Sequence, residues 1–154
     1  MRLTDHGLAV DIPRGWEARM FVPDLPPPAI NLPVLHVSSA PLPTSRSSYA
    51  AEASRGLGDR GILFSLLEFE AALANVGLYA AQGMPVPIRA DELDHRAMQI
   101  PHPEQGGVQR FFSQAGRAFS LYVIAGLGPG LRDRLGELDR VLRGVEISST
   151  VPGA

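Results

Sequence analysis

The feature that most constrains the fold is a block in the last third of the chain. Residues 108–114 and 118–125 read as two strands around Ala115-Gly116-Arg117, and an amphipathic helix follows. The second strand is apolar on both faces, with Phe119, Leu121 and Val123 on one and Tyr122 and Ile124 on the other. Such a strand belongs inside a sheet that is covered twice. One cover is legible at once. Leu131, Leu135, Leu138 and Leu142 recur at helical spacing, while Arg132, Asp133, Glu137, Asp139, Arg140 and Arg143 take the other face and Gly144 is placed as a C′ residue. The second cover is expected to be either a helix over residues 70–81 or a partner protein.

The upstream elements are read in the same way. Leu8, Val10 and Ile12 alternate with Ala9 and Asp11, Pro13 to Gly15 supply a turn, and Trp16, Ala18 and Met20 resume the alternation. Residues 8–21 are therefore expected to form a hairpin. Trp16 opens its second strand, and Trp16→Ala is expected to cost about 3–5 kcal/mol if the indole is buried there. Prolines at 23, 26, 27, 28 and 33 make residues 22–33 a connecting loop. Residues 34–37 form a short strand with His36 in its middle, 41–48 are a loop, and 49–54 form a brief helix. Ile62–Phe69 is apolar at nearly every position, and its length and the preceding Gly61 favour a doubly buried strand over a helix. Residues 70–81 read as a helix stopped by Gly83-Met84-Pro85, and 83–107 as an irregular crossing segment with at most a helical turn at 91–98. Residues 145–147 are an edge strand and 148–154 a flexible tail. The expected product is one α+β domain over residues 1–147, mainly an antiparallel sheet covered by helices.

Composition removes several function classes. The 14 basic residues are all arginine and face 16 acidic ones, giving a net charge of −2, with no basic run to attract nucleic acid. Without lysine there is no Schiff base and no Walker lysine. Without cysteine there is no thiolate nucleophile, metal thiolate or disulfide. Residues 1–7 lack the apolar core of a signal peptide, and no apolar run reaches the roughly 18 residues that cross a bilayer. These features predict a cytoplasmic chain with no membrane insertion.

Motifs that suggest chemistry are sparse. Gly56-Leu57-Gly58-Asp59-Arg60-Gly61 matches a dinucleotide fingerprint, but a strand follows it where the mechanism needs a helix. The strand-to-helix connection Gly126-Leu127-Gly128-Pro129-Gly130 has better geometry, and Gly128 and Gly130 are a candidate anion site. His6, His36, His95 and His102 form no recognised metal pair, although His95 lies beside Asp91, Glu92 and Asp94. Glu68, at the end of an apolar run, is the carboxylate expected to be partly buried and shifted in pKa, or else paired with an arginine such as Arg110. Phe111 and Phe112 must face opposite sides of their strand, so one is a candidate contact residue. Pro23-Asp24-Leu25-Pro26 has the spacing of a polyproline II ligand. No catalytic residue, metal ligand or cofactor is assigned.

The opening Gly7-Leu8-Ala9-Val10-Asp11-Ile12-Pro13-Arg14-Gly15-Trp16 resembles the start of Mog1/PsbP-like domains, and the late strand pair with its helix and short strand is similar too. The resemblance implies an α/β/α sandwich around an antiparallel sheet and a role in binding or assembly. It carries over no functional residue. The resulting expectation is a non-enzymatic, chaperone-like or adaptor domain that binds a protein partner, or itself as a homodimer. Trp16, Glu68, His95, Phe111 and Tyr122 are its candidate contacts. The alternative is a small-molecule-binding protein or enzyme with a pocket between residues 83–107 and the sheet, lined by Trp16, His95 or Tyr122.

Overall fold

A computed structural model describes residues 1–44 and 51–149. The expected helix start at 49–50, the second half of the 41–48 loop and residues 150–154 of the tail lie outside the described residues. The fold is α+β. Strands β1 (Arg2–Asp5), β2 (Leu8–Asp11), β3 (Glu17–Phe21), β4 (Val34–Ser38), β5 (Ile62–Phe69), β6 (Gln105–Gln114), β7 (Arg117–Gly126) and β8 (Glu146–Ile147) are joined by helices α1 (Ala51–Arg55) and α2 (Leu131–Arg143). They form a five-stranded sheet of order β3-β4-β5-β7-β6 and a three-stranded sheet of order β1-β2-β8. Every strand ladder in both is antiparallel.

The late block behaves as its pattern dictates. Ala115 and Gly116 take φ of 55° and 75°, the left-handed pair that a tight two-residue hairpin needs, and Gln114 pairs with Arg117 across it. Ile62–Phe69 is indeed a strand, and it lies at the centre of the sheet beside β7. Helix α2 buries Leu135, Leu138, Val141 and Leu142. Gly144 ends it with φ of −86°, so the expected left-handed C′ geometry is replaced by a right-handed turn that bonds back to Arg140 and Val141.

Three expectations are corrected. The turn before Trp16 exists, with its amide donating to the Pro13 carbonyl at 3.0 Å, but β2 and β3 do not pair. Instead β2 pairs with β1 and β8, while β3 pairs with β4, so the turn carries the chain from one sheet to the other. The first strand, Arg2–Asp5, is missed because all but Leu3 are polar and it is an edge. Residues 70–81 are not a helix but two 3-10 turns, Ala71–Leu73 and Gly77–Tyr79. Asn75 and Gly77 hold φ of 68° and 55°, which breaks the helix, and Ser113 captures the freed backbone through bonds to Ala81 and Gly83.

The sheet's two faces are covered differently. Leu35, Val37, Phe64, Leu66, Phe119, Leu121 and Val123 face α2 and β2 in one continuous core shared by both sheets. On the other face, Leu63, Tyr122 and Ile124 pack against Ala53 of α1, Leu57 and Met98. The cover on this face is therefore not a helix over 70–81 but α1 and the crossing segment, joined by Tyr79, which packs on Phe69 and Phe111. That segment holds 3-10 turns at Ala90–Glu92 and His95–Ala97, within the expected 91–98 region at its later turn. Gly106 and Gly107 let it lie directly on β6, because a Cβ there would press on Leu93 and Met98.

Candidate functional site

Glu68 is the best-founded of the sequence candidates, and its partner is Arg117 rather than Arg110. Arg117 is 1% exposed and grips Glu68 with two bonds, Nε to Oε2 at 2.9 Å and Nη2 to Oε1 at 2.6 Å. Its remaining N–H groups donate to the carbonyls of His6, Gly7 and Ser148, at 2.9, 3.2 and 2.9 Å. The guanidinium lies 5.3 Å from the centre of the Phe119 ring. One buried cation thus joins the five-stranded sheet to the β1–β2 turn and to the segment after β8. Its donors are consumed by the fold. Arg110 instead pairs with Glu92.

His95 sits in an exposed turn, its Nδ1 bonded to the His102 carbonyl at 3.1 Å. Its acidic neighbours each have an arginine: Asp91 with Arg89 at 3.7 Å, Glu92 with Arg110, and Asp94 with Arg96 at 3.2 Å. The Arg96 amide, and then its side chain, hold the Asp94 carboxyl below the usual range. This segment is an ion-paired surface. Among the described residues no group of three or more His, Asp or Glu side chains converges as metal ligands.

The two glycine motifs meet, which their separation in sequence does not reveal. The Gly126 amide donates to the Gly61 carbonyl and the Gly128 amide to the Asp59 carbonyl, both at 2.8 Å. Arg134 crosses the junction and donates to the carbonyls of Asp59, Gly126, Gly128 and Pro129. Gly130, with φ of 85°, caps α2 without a side-chain bond. The Asp59 carboxylate packs against Gly128. The loop that sequence marks as an anion cradle is thus stitched to the chain's own backbone, with an acid beside it.

Tyr122 lies on the second face of β7, 3% exposed, and its hydroxyl accepts the Gln99 amide at 3.0 Å. With Ala97, Met98, Gln99 and Gln109 it lines an open cleft of about 370 Å³, in the region expected for a pocket, and neither Trp16 nor His95 lines it. Burial pushes the Tyr122 phenol above its ordinary value of about 10. The folded state then binds this proton more tightly than the unfolded state. Its stabilising effect is complete below about pH 10 and is lost as pH rises toward the raised folded value. Tyr122→Phe is expected to flatten the alkaline fall in stability, read from urea midpoints across about pH 9–11.

Trp16 precedes β3 and is half-buried against the core, so the full-burial penalty for Trp16→Ala does not apply. Phe111 and Phe112 do face opposite sides. Phe112 stacks on Phe119 in the core at 5.5 Å, and the half-buried Phe111 meets Tyr79 edge-on at 5.5 Å. No protein-family model, curated protein or solved structure matches the chain.

Sequence reasoning missed a buried polar pair on the second face. His36 Nδ1 lies 2.6 Å from Ser65 Oγ, and the two residues are 4% and 0% exposed. The signal was a histidine inside the apolar run 34–37. It also missed an apolar groove of about 340 Å³ where the proline-rich loop meets the end of β5, with Leu25, Ile30 and Phe69 in its walls.

Proposed function

We propose that this chain is a non-enzymatic protein-binding domain, an accessory or chaperone-like adaptor working in the cytoplasm. The observation that carries the reading is an uncharged, exposed segment. Residues 71–88 contain no charged side chain, yet Leu73, Val76 and Leu78 are 39%, 57% and 63% exposed. Phe69 links this segment to the proline-rich loop: its ring lies 5.6 Å from Tyr79, and it shares the groove with Leu25 and Ile30, which are 53% and 59% exposed. Apolar side chains gathered at one end of a sheet are the usual mark of an interaction surface. The resemblance of the late strand pair and its helix to Mog1/PsbP-like domains points the same way. No helix among the described residues is long and apolar enough to cross a membrane.

Affinity capture from the native source tests the reading. The expected result is one stoichiometric partner with the unchanged chain and its loss with Leu78→Asp, which leaves the core untouched. A chain that captures nothing, or a partner indifferent to Leu78→Asp, contradicts it. A second reading, small-molecule binding, is favoured by the cleft at Tyr122, whose walls combine the Met98 thioether with the Gln99 and Gln109 amides. Ligand-dependent quenching of an introduced Gln109→Trp fluorophore would support it.

A further inference from the structure

We infer that the groove between the proline-rich loop and β5 receives an extended segment of the partner protein, in which a large apolar side chain is flanked by arginine or lysine. The inference rests on the protein-binding reading and specifies the chemistry of its contact. The groove is built before any ligand arrives. The Asn31 side chain accepts from the Leu25 amide at 3.1 Å and donates to the Leu25 carbonyl at 3.0 Å, closing the loop on itself. The Glu68 amide donates to the Pro33 carbonyl at 3.1 Å and ties that loop to the sheet. Prolines remove backbone freedom that binding would otherwise have to freeze.

The walls decide the ligand. Pro23, Leu25, Ile30, Leu32, Leu67 and Phe69 offer an apolar space of about 340 Å³, enough for a leucine- to phenylalanine-sized anchor. Among the described residues no basic side chain lines it, so an anion finds no counter-charge there. The carboxylates at the groove differ in availability. Both oxygens of Glu68 are taken by Arg117, whereas the exposed Asp24 and Glu70 have no ion pair among the described residues. Glu70 lines the groove and Asp24 lies between two residues that do. Two unpaired acids beside an apolar slot select cations next to the anchor.

Selection from a random peptide display library against the intact chain tests this. Enriched peptides are expected to share a Leu, Ile, Met or aromatic anchor with Arg or Lys within two or three positions. Their affinity should fall by about tenfold in an Asp24→Lys, Glu70→Lys variant and should be lost in Ile30→Asp, with melting temperatures unchanged. Enrichment without basic flanks, no enrichment, or affinity indifferent to the charge reversal overturns the assignment. A natural partner that is captured through Leu78 but ignores the charge reversal overturns it too, and leaves the protein-binding reading standing. Failure to capture any partner counts against that reading alone.

Discussion

Replacing Arg117 by methionine is expected to lower the free energy of unfolding by about 3–5 kcal/mol, measured by urea denaturation. The loss is large because the substitution strands a nearly buried carboxylate, Glu68, and removes the donor to the carbonyls of His6 and Ser148, while the Gly7 carbonyl keeps its bonds from Ser148. Glu68→Gln, which keeps one acceptor and the shape, should cost less. The combined variant Arg117→Met, Glu68→Leu should recover part of the loss, since removing both charges removes the unpaired one. It should not recover all of it, because the carbonyls of His6 and Ser148 remain without the donor that Arg117 supplied. Hydrogen exchange should show where the damage falls. In Arg117→Met the amides of β1, β2 and β8 are expected to exchange faster, while the centre of β5 and β7 keeps its protection.

Phe119→Ala is expected to cost a comparable amount, about 3–5 kcal/mol, by the same denaturation measurement. Phe119 is 0% exposed, stacks on Phe112 and sits in the core shared by both sheets. Its removal deletes a ring from a face where Phe64, Leu121 and the leucine stripe of α2 already fill the neighbouring space, so the cavity collapses only in part. The Arg117 guanidinium lies over that ring, so the two substitutions share a contact. Their combined cost should fall short of the sum of the single ones, the sign of coupled neighbours. A strictly additive result would place the clasp and the core in independent units.

The contrast between what sequence conveyed and what it hid is physical. β5, β7 and α2 were legible because burial on defined faces imprints itself on every residue. The run Ile62–Phe69 fits a doubly buried strand or a core helix, and its shortness and the preceding Gly61 tip it to the strand, while the leucine spacing of α2 admits only one period. Pairing partners are a different matter. The turn before Trp16 has the chemistry of a reversal, but Pro13 and Gly15 encode a change of direction and not which strand comes next, so two strands that meet there in sequence part in space. The 70–81 segment has helix-forming composition, yet Asn75, Gly77 and the pull of Ser113 on Ala81 and Gly83 outweigh a propensity worth only a few tenths of a kcal/mol per residue.

The candidate site was less legible than the fold. An arginine after a hairpin turn reads as exposed, and nothing local to Arg117 announces that Glu68, the β1–β2 turn and the chain after β8 converge on it. The loop expected to cradle an anion at Gly128 and Gly130 is closed by residues from outside it, Arg134 of α2 and Asp59 of the earlier glycine motif. The groove could not be seen at all, since its walls come from the proline-rich loop and from β5. Leu73, Val76 and Leu78 were visible as letters but fell in the helix expected over 70–81 as a candidate cover of the sheet. Once that helix is absent, the same letters describe a surface.

Hydrogen exchange of the chain with and without its captured partner tests the central claim most directly. The account predicts slowed exchange in residues 22–33 and 70–82 together, with the three-stranded sheet unchanged. Protection confined to β1, β2 and β8, or to the cleft beside Tyr122, would contradict it.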